Sequence, residues 1–242
     1  MTHDTRELEK RLDMTRTPVQ AAVLVRAGRP LELRELYLDE PLPGEVRVRT
    51  LAAGLCHSDL HYLDGTLPIA LPAVLGHEVL GEISAVGDPR SAHRIGERVI
   101  ATITPSCGSC ARCAAGYSTQ CLNSARARER ARPKLGDARE RPVQLLGPIG
   151  GFSPEIPISE DAAAPEDADS PAAGGCLMGC CIATGFGAVV HGARVGPLDS
   201  VAVIGCGGVG VAAIQAAAIA GARRIVAIDV HEEKLERARG FG

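Results

Sequence analysis

The chain has 242 residues, of which 45% are hydrophobic, so it is long enough to bury a core in one large domain or two smaller ones. With 26 basic and 29 acidic residues the net charge is −3, and 2% of residues are aromatic; this balance excludes the basic, stacking surface of a nucleic-acid binder and gives no attraction to a membrane. Nine cysteines with no apolar leader before them indicate metal-bound thiols in a reducing, cytoplasmic setting rather than a disulfide scaffold.

The first part of the chain reads as β-structure. Residues 1–17 are charged throughout and are predicted to form a mobile lead, within which Met14 is a second candidate start. From residue 18 the pattern is typical of short strands separated by Gly and Pro turns. Such strands predict a small β-barrel and not a parallel sheet, and they fall within residues 20–25, 31–38, 45–54, 79–87 and 97–103.

The middle of the chain is irregular. Residues 124–141 are rich in Arg and are predicted to be a solvated loop. Residues 147–159 form an edge strand at best, because Pro154 and Pro157 cannot donate to a strand ladder. Residues 160–171 read as an acidic connector, and residues 176–190 as a helix.

From residue 200 the hydrophobic period changes. A buried strand at 200–205 is followed by an Ala-rich helix at 207–222, a second buried strand at 223–230 and a second helix at 231–240. This β-α-β-α order predicts a parallel sheet.

Four cysteines form the strongest motif. Cys107, Cys110, Cys113 and Cys121 follow the spacing C-x2-C-x2-C-x7-C, with glycines between them that allow tight turns. Four thiolates on one short loop can close a tetrahedral shell, and a closed shell of this kind is structural. The motif predicts a zinc lobe at residues 107–121.

A second set of metal-binding residues is more dispersed. Cys56 and His77 are a thiolate and an imidazole about twenty residues apart, a pairing that suits zinc. A third ligand would come from a late cysteine, and Cys176, Cys180 and Cys181 are the candidates. Two cysteines and one histidine would leave the fourth position of the metal open for a substrate.

The pattern G-x-G-x-x-G occurs at Gly205, Gly207 and Gly210, after a predicted strand and at the start of a predicted helix. In that context it predicts a dinucleotide turn with the pyrophosphate on the helix N-terminus. Asp229 ends the next strand, where a carboxylate accepts a hydrogen bond from the ribose 2′-hydroxyl and repels a 2′-phosphate, so NAD is favoured over NADP.

Together these residues resemble a zinc-dependent, medium-chain alcohol dehydrogenase. The motifs that carry the resemblance are GLCHSDLH, LGHE, CGSCARC with Cys121, GCCIATGFGAVV and VAVIGCGGVG. The resemblance implies an α/β fold with a mainly β part: a GroES-like β-barrel catalytic domain at 18–185 and an incomplete Rossmann domain, a doubly wound parallel sheet, at 186–242. It also implies that full-length relatives are homo-oligomers.

For the metal and proton chemistry, the resemblance implies two Zn²⁺ per chain. Its T-G-x-G turn selects Cys180 as the third ligand beside Cys56 and His77, because Cys180 lies four residues before Thr184. Asp59 would orient His77, and Glu78 would lie behind the metal. Ser58 would hydrogen-bond a zinc-bound alcohol, and His61 would end a proton relay to solvent.

For the cofactor, the resemblance implies that Thr184 touches the nicotinamide. The pyrophosphate would lie on Gly207, Gly208, Val209 and Gly210, and Asp229 with Lys234 would hold the adenosine ribose. His57 stands where many relatives carry an Arg, and weaker cofactor binding is expected there.

The expected activity is hydride transfer between NAD and a small alcohol or its aldehyde. Because this family's nucleotide domain has six parallel strands, the chain reads as a C-terminally truncated member, with impaired activity and with strands near 200–204 and 224–230 that lack neighbours. A catalytically silent zinc-binding module, a thiol-adduct formaldehyde dehydrogenase and a polyol dehydrogenase are the alternatives. A redox sensor using Cys176, Cys181 and Cys206 is disfavoured by their apolar, uncharged flanks.

Overall fold

A computed structural model of the chain describes residues 16–124, 135–139, 141–166 and 170–242. Most of the predicted lead, residues 1–15, lies outside the described residues. The chain divides into two compact units, one ending at Cys176 and the other beginning at Leu177. The domain ranges 18–185 and 186–242 stay predictions.

Ten short strands dominate the described part of the first unit: β1 (Thr17–Leu24), β2 (Glu32–Leu38), β3 (Glu45–Gly54), β4 (Ala73–Val74), β5 (Glu78–Val86), β6 (Arg98–Ala101), β7 (Leu135–Gly136), β8 (Gln144–Leu145), β9 (Glu155–Ser159) and β10 (Ala163–Pro165). They form two five-stranded sheets, in the orders β7-β2-β1-β4-β8 and β10-β6-β5-β3-β9. All pairs are antiparallel except β4 with β8. The predicted β-barrel is therefore confirmed.

Alternating side chains explain why these segments form strands. In β1, Val19, Ala21 and Val23 are buried while Gln20 between them is exposed, which is the period of two that a half-buried strand requires. Two of the apolar clusters lie on the two sheets. The first contains Val46, Val48, Val79, Ile83, Val99, Ile156 and Ile158, and the second contains Val19, Val23, Leu36, Leu38, Val74, Leu135 and Leu145.

The first unit also contains short helices: α1 (His57–Asp64), α2 (Ala111–Ala114), α3 (Ala172–Gly175), and 3₁₀ turns at Ser118–Gln120 and Glu160–Ala162. Helix α1 begins after Cys56, whose backbone is extended and whose N–H donates to the Asp59 carboxylate at 3.0 Å. This is the capping-box arrangement, which satisfies a backbone donor at a helix start. The helix ends at Gly65, in the left-handed conformation.

Four strands were not predicted. β4 and β8, which pair with each other in parallel, lie in stretches for which no strand was predicted. β7 lies within the segment predicted to be a solvated loop, and its Leu135 is only 2% exposed; residues 125–134 and 140 lie outside the described residues. β10 lies within the predicted acidic connector and pairs with β6. All four were missed because strands of two or three residues leave no periodic pattern. β9 pairs with β3 alone and ends its sheet, so the predicted edge strand is confirmed.

A buried ion pair ties the connector to the barrel. Arg98 Nε on β6 lies 3.1 Å from Glu166 Oε2, and the two side chains are 18% and 7% exposed. Arg98 Nη2 also donates to the carbonyl of Ser170 at 2.9 Å. Because charges held away from water need a close partner, this pair fixes the path of the chain just before α3.

The second unit contains the predicted β-α-β-α order: α4 (Cys181–Gly187), β11 (Ser200–Ile204), α5 (Gly208–Ile219), β12 (Arg224–Ile228) and α6 (Glu232–Ala238). β11 and β12 pair in parallel, from Ser200 opposite Arg224 to Ile204 opposite Ile228. The predicted parallel sheet is confirmed, and among the described residues each of the two strands has the other as its one strand neighbour. One sheet face packs on the helices through Val203 and Ile225, and the other leaves Ile204 82% exposed.

The helix predicted at 176–190 is interrupted. A 3₁₀ turn (Cys176–Gly179) is followed by Cys180, whose φ of −140° and ψ of −74° are not helical, and then by α4 and a π-helical turn (Ala188–Ala193). In the described part of the chain no single helix is long and apolar enough to cross a membrane, and only the broken segment 172–193 meets that test, by length and composition.

Candidate metal centres and nucleotide turn

Cys56 and His77 lie together in the first unit. Cys56 is the residue before α1, and His77 lies between β4 and β5. The Cys56 sulfur and a ring nitrogen of His77 are within 4.8 Å of each other. Tetrahedral zinc bonded to one sulfur and one nitrogen would separate these atoms by about 3.6 Å. The donor pair therefore fits zinc.

Asp59 connects the two candidate ligands. One carboxylate oxygen accepts from Cys56 N at 3.0 Å, and the other accepts from Gly76 N at 3.0 Å and lies 3.4 Å from His77 Nδ1. The last distance is longer than a well-formed hydrogen bond. Asp59 is 3% and His77 4% exposed, so both ligands are held by one buried carboxylate. A carboxylate facing Nδ1 leaves Nε2 of the imidazole for a metal.

The electrostatics of this site favour a thiolate and a cation. Burial lowers the pKa of His77, but Asp59 and then the Cys56 sulfur outweigh it and raise that pKa to about 9. Burial raises the pKa of Cys56, and hydrogen bonds from Ser58 together with His77 outweigh it and lower that pKa. Each group thus stabilises the charged form of the other.

The remaining predicted residues of this region lie on α1 and β5. Ser58 Oγ is 3.7 Å from Cys56 Sγ. Ser58 and His61 are three residues apart, so they lie on the same side of α1. His57 is exposed and meets His61 edge to face, with ring centroids 4.9 Å apart. Glu78, 1% exposed, is the first residue of β5 and follows His77 directly.

The four cysteines of the lobe converge. The sulfurs of Cys110 and Cys113 are 3.5 Å apart, those of Cys110 and Cys121 are 4.0 Å apart, and those of Cys121 and Cys107 are 3.6 Å apart. Tetrahedral zinc with bonds of 2.3 Å would place its sulfurs about 3.8 Å apart. All nine cysteines lie in the described residues, and none is in a disulfide. The lobe therefore fits a structural zinc ion.

Backbone and side-chain N–H groups surround the lobe. Cys107 N and Asn123 N donate to Cys121 Sγ at 3.4 and 3.3 Å, and Asn123 Nδ2 donates to Cys107 Sγ at 3.3 Å. Hydrogen bonds from the Ser109 backbone and from Asn123 lower the pKa of Cys107 to about 5. Loss of solvent and the thiols of Cys110 and Cys121 raise the pKa of Cys113 to about 12. The contrast arises because adjacent thiolates repel, and a divalent cation would remove that repulsion.

Cys180 and Thr184 belong to the second unit. Cys180 caps the start of α4, and its carbonyl accepts from Thr184 N at 2.9 Å. Thr184 is exposed one turn into the helix. The neighbouring Cys181 faces α5, because a Cβ built on Gly208 would lie 2.9 Å from the Cys181 sulfur. Adjacent cysteines thus occupy different environments, one before the helix and one against its neighbour.

The glycine pattern forms the predicted turn between β11 and α5. Gly205 has a φ of +94°, and Gly207, with extended backbone, caps α5. A Cβ on Gly210 would overlap the Gly205 carbonyl oxygen, so the third glycine permits close packing of helix and strand as expected. Gly208 and Val209 begin the helix, and Val209 is 45% exposed.

Asp229 joins β12 to this turn. Its carboxylate accepts from Cys206 N at 2.8 Å and from His231 N at 2.9 Å. These bonds lower the pKa of Asp229, the Cys206 bond most, with a smaller contribution from Lys234. A carboxylate has about four lone-pair positions, so the two bonds orient Asp229 and leave room for a ribose hydroxyl.

A family comparison decides the identity of this arrangement. Residues 42–167, just over half of the chain, match the family described as the alcohol dehydrogenase GroES-like domain. The chain belongs to the zinc-dependent alcohol dehydrogenase family. The predicted family is thereby confirmed, and its region includes Cys56, His77 and the four-cysteine lobe.

Individual relatives agree with the alcohol dehydrogenase assignment. The chain is 36% identical over 225 residues to "Putative alcohol dehydrogenase D" of Mycobacterium tuberculosis, covering 92% of this chain and 61% of that protein. It resembles an alcohol dehydrogenase zinc-binding domain protein from Burkholderia ambifaria, with a TM-score of 0.86, 34% identity and coverages of 94% and 63%. It also resembles benzyl alcohol dehydrogenase from Acinetobacter calcoaceticus, with a TM-score of 0.81, 31% identity and coverages of 93% and 62%. The chain thus spans about three fifths of the alcohol dehydrogenases it matches.

One residue near the site escaped the sequence analysis. Gly185 is buried in α4, and a Cβ there would lie 2.6 Å from the Ala212 Cβ of α5. Its place in the T-G-F-G motif was noted, but its packing partner depends on a helix more than twenty residues away. The small residues at both positions were the available signal, since glycine and alanine allow helices to approach closely.

Proposed function

We propose that the chain carries the metal and dinucleotide sites of an alcohol dehydrogenase that moves a hydride between an alcohol or aldehyde and NAD. The observation that carries this proposal is Asp59, which holds the backbone of Cys56 and faces the ring of His77 in a family whose members bind zinc. A thiolate and an imidazole held by one buried carboxylate form a prepared half of a zinc shell.

Cys180 is proposed as the third ligand. It stands four residues before Thr184, and its non-helical backbone ends one helical segment and starts the next. With Cys56 and His77 it supplies two thiolates and one imidazole. Cys107, Cys110, Cys113 and Cys121 hold the second ion, a role their sulfur spacing supports.

When bound, zinc supplies Lewis acidity and NAD supplies the hydride acceptor. The chain's own groups then position the substrate and move its proton. The Ser58 hydroxyl, beside the Cys56 sulfur, would hydrogen-bond the substrate hydroxyl and would release its own proton as it takes the substrate's. His61, on the same side of α1 and half-buried, passes it to solvent. Glu78, behind His77, contributes negative charge near the site.

The cofactor assigned to the second unit is NAD. The first turn of α5, Gly208–Gly210, presents backbone N–H groups to the pyrophosphate. Asp229 accepts from the ribose hydroxyls and repels a 2′-phosphate, with Lys234 beside it. Thr184, exposed on α4, would contact the nicotinamide ring. His57 is exposed at the start of α1 and stands where many relatives carry an Arg, so weaker cofactor binding is expected.

Primary or secondary alcohols are the proposed substrates. The similarity to benzyl alcohol dehydrogenase supports an aromatic alcohol as the first compound to test. A catalytically silent zinc-binding module is the second candidate, and the large exposed area of Ile204 on the bare sheet face is the observation that favours it.

A titration of NADH fluorescence, with metal analysis of the same sample, tests the proposal. Two zinc ions per chain with saturable NADH binding support the dehydrogenase sites, and reduction of NAD by benzyl alcohol, followed at the absorbance of NADH, then tests hydride transfer. Two zinc ions without NADH binding would instead support the silent module. About one zinc ion per chain would show that one of the two shells is wrong.

A further inference from the structure

Helices α4 and α5 of the second unit touch backbone to backbone at Gly185. A Cβ built on Gly185 would lie 2.6 Å from Val209 O, 2.8 Å from Ala213 N and 2.6 Å from the Ala212 Cβ. Real Cβ atoms almost never approach neighbours within 3.0 Å. Two of these three atoms belong to the backbone of α5, so they cannot turn away as a side chain could.

A second contact lies nearer the start of α4. The Cys181 sulfur rests over Gly208, the first residue of α5. Gly185 meets the next turn of α5, around Val209 and Ala213. The contacts at Cys181 and Gly185 are four residues apart on α4. Together they restrain both the distance between the two helices and the direction in which α4 runs along α5.

The two helices carry different parts of the proposed site. Cys180 and Thr184 lie at the start and in the first turn of α4. The dinucleotide turn, Gly205–Gly210, leads into α5. The spacing between the helices therefore sets the spacing between a metal ligand, a nicotinamide contact and the pyrophosphate cradle.

We infer that Gly185 is a positioning residue: by letting α4 rest directly on α5, it sets the distance from Cys180 and Thr184 to the dinucleotide turn. This inference rests on the proposed function. It assigns to Gly185 a part in cofactor and metal geometry, in addition to its packing.

Alanine at position 185 would have to move α4 by about 1 Å to reach ordinary contact distances with α5. Displacements of this size within a binding constellation can cost about 100-fold in rate. We expect Gly185→Ala to weaken NADH binding at least tenfold and to change the visible spectrum of cobalt placed at the centre of Cys56, His77 and Cys180.

Gly187→Ala is the matched control. Gly187 lies two residues further along the same helix, and a Cβ there would meet nothing within 4 Å. Alanine is a better helix former than glycine, so this variant should be at least as stable as the wild type and should keep its NADH affinity and cobalt spectrum.

Three measurements on the full chain decide the question: NADH affinity, the cobalt spectrum and the melting temperature. If Gly185 serves packing alone, Gly185→Ala lowers the melting temperature while the folded protein keeps wild-type affinity and spectrum, and the inference is overturned. If wild-type protein itself binds no NADH, the proposed function fails first, and the inference falls with it. The two failures are therefore distinguishable.

A second variant covers the case in which Gly185→Ala is recovered unfolded. Ala212→Val enlarges the α5 side of the same contact, because the Ala212 Cβ faces Gly185. It should weaken NADH binding in the same direction and alter the cobalt spectrum. Wild-type values for both in folded Ala212→Val protein would overturn the inference.

Discussion

The carboxylate of Asp59 accepts a hydrogen bond from Cys56 N and lies 3.4 Å from His77 Nδ1. One buried side chain therefore orients two residues that are distant in sequence. Asp59 thus has two roles. It caps the start of α1, and its carboxylate faces the imidazole that is proposed to bind the metal. This double role explains why the α1 start and the His77 loop are fixed together.

Asp59→Asn should weaken zinc binding at the first centre. The amide can still accept one backbone hydrogen bond, but it cannot place a full negative charge beside His77. Loss of such an outer partner typically costs 10- to 100-fold in metal affinity. Competition with a chromophoric chelator measures the effect, and Asp64→Asn, at the exposed end of the same helix, is the control. Equal zinc affinity in both variants would contradict the role given to Asp59.

Cys180→Ser should remove one zinc ion per chain and leave the lobe of Cys107 to Cys121 filled. Serine keeps the size of the side chain but replaces the soft thiolate that zinc prefers. Metal analysis by mass spectrometry provides the count. Cys181→Ser is the control, because the Cys181 sulfur packs against Gly208. If Cys181→Ser loses the ion instead, the third ligand is the other cysteine.

Asp229→Ser should shift the cofactor preference toward NADPH. Removing the carboxylate takes away the acceptor for the ribose hydroxyls and the repulsion of a 2′-phosphate. We expect NADH affinity to fall about tenfold or more and NADPH affinity to rise, both measured by fluorescence titration. Glu236→Gln, an exposed change on α6, should alter neither affinity.

The same carboxylate predicts a pH dependence of stability. Backbone hydrogen bonds hold the pKa of Asp229 below its ordinary value of 3.8. Its contribution to folding is therefore present above that value and is lost as the pH falls through the lower, folded pKa. Urea unfolding should show Asp229→Asn less stable than the wild type at pH 7, with the difference shrinking in acid below pH 3.8. A difference that stays constant across this range would contradict the assignment.

Two ion pairs of the barrel should contribute differently to the free energy of unfolding, and the buried pair should contribute more although its distance is longer. Glu166→Gln breaks the buried pair with Arg98 and should cost about 3 kcal/mol of unfolding free energy, because it leaves a charge shielded from water. Glu82→Gln breaks the shorter, more exposed pair with Arg49, at 2.8 Å, and should cost less than about 1 kcal/mol. Urea titration of both variants gives the comparison, and similar costs would show that burial is not the deciding factor.

The sequence was most informative where a motif carries its own geometry. The strands of the barrel, the four-cysteine lobe and the turn at Gly205–Gly210 each depend on residues close together in the chain. The spacing of cysteines and glycines therefore anticipated their arrangement.

Contacts between distant segments were beyond the sequence. The break of the helix at Cys180 follows Gly179, but a single glycine within a helical pattern does not fix where the helix breaks. Strands β4, β7, β8 and β10 are too short to show a period, and each exists only because another strand offers hydrogen bonds. Gly185 needed the position of α5 before its packing could be understood.

The sulfur spacing in the lobe has a practical consequence for handling the protein. Neighbouring sulfurs 3.5 to 4.0 Å apart are nearly twice as far apart as the two atoms of a disulfide, so closing such a bond would contract the loop and erase the tetrahedral cavity. Air oxidation during purification would thus convert the four-cysteine lobe, which fits a zinc ion, into a loop closed by disulfides. A reductant keeps the four sulfurs of the lobe as thiols, and zinc added early would protect them by binding them.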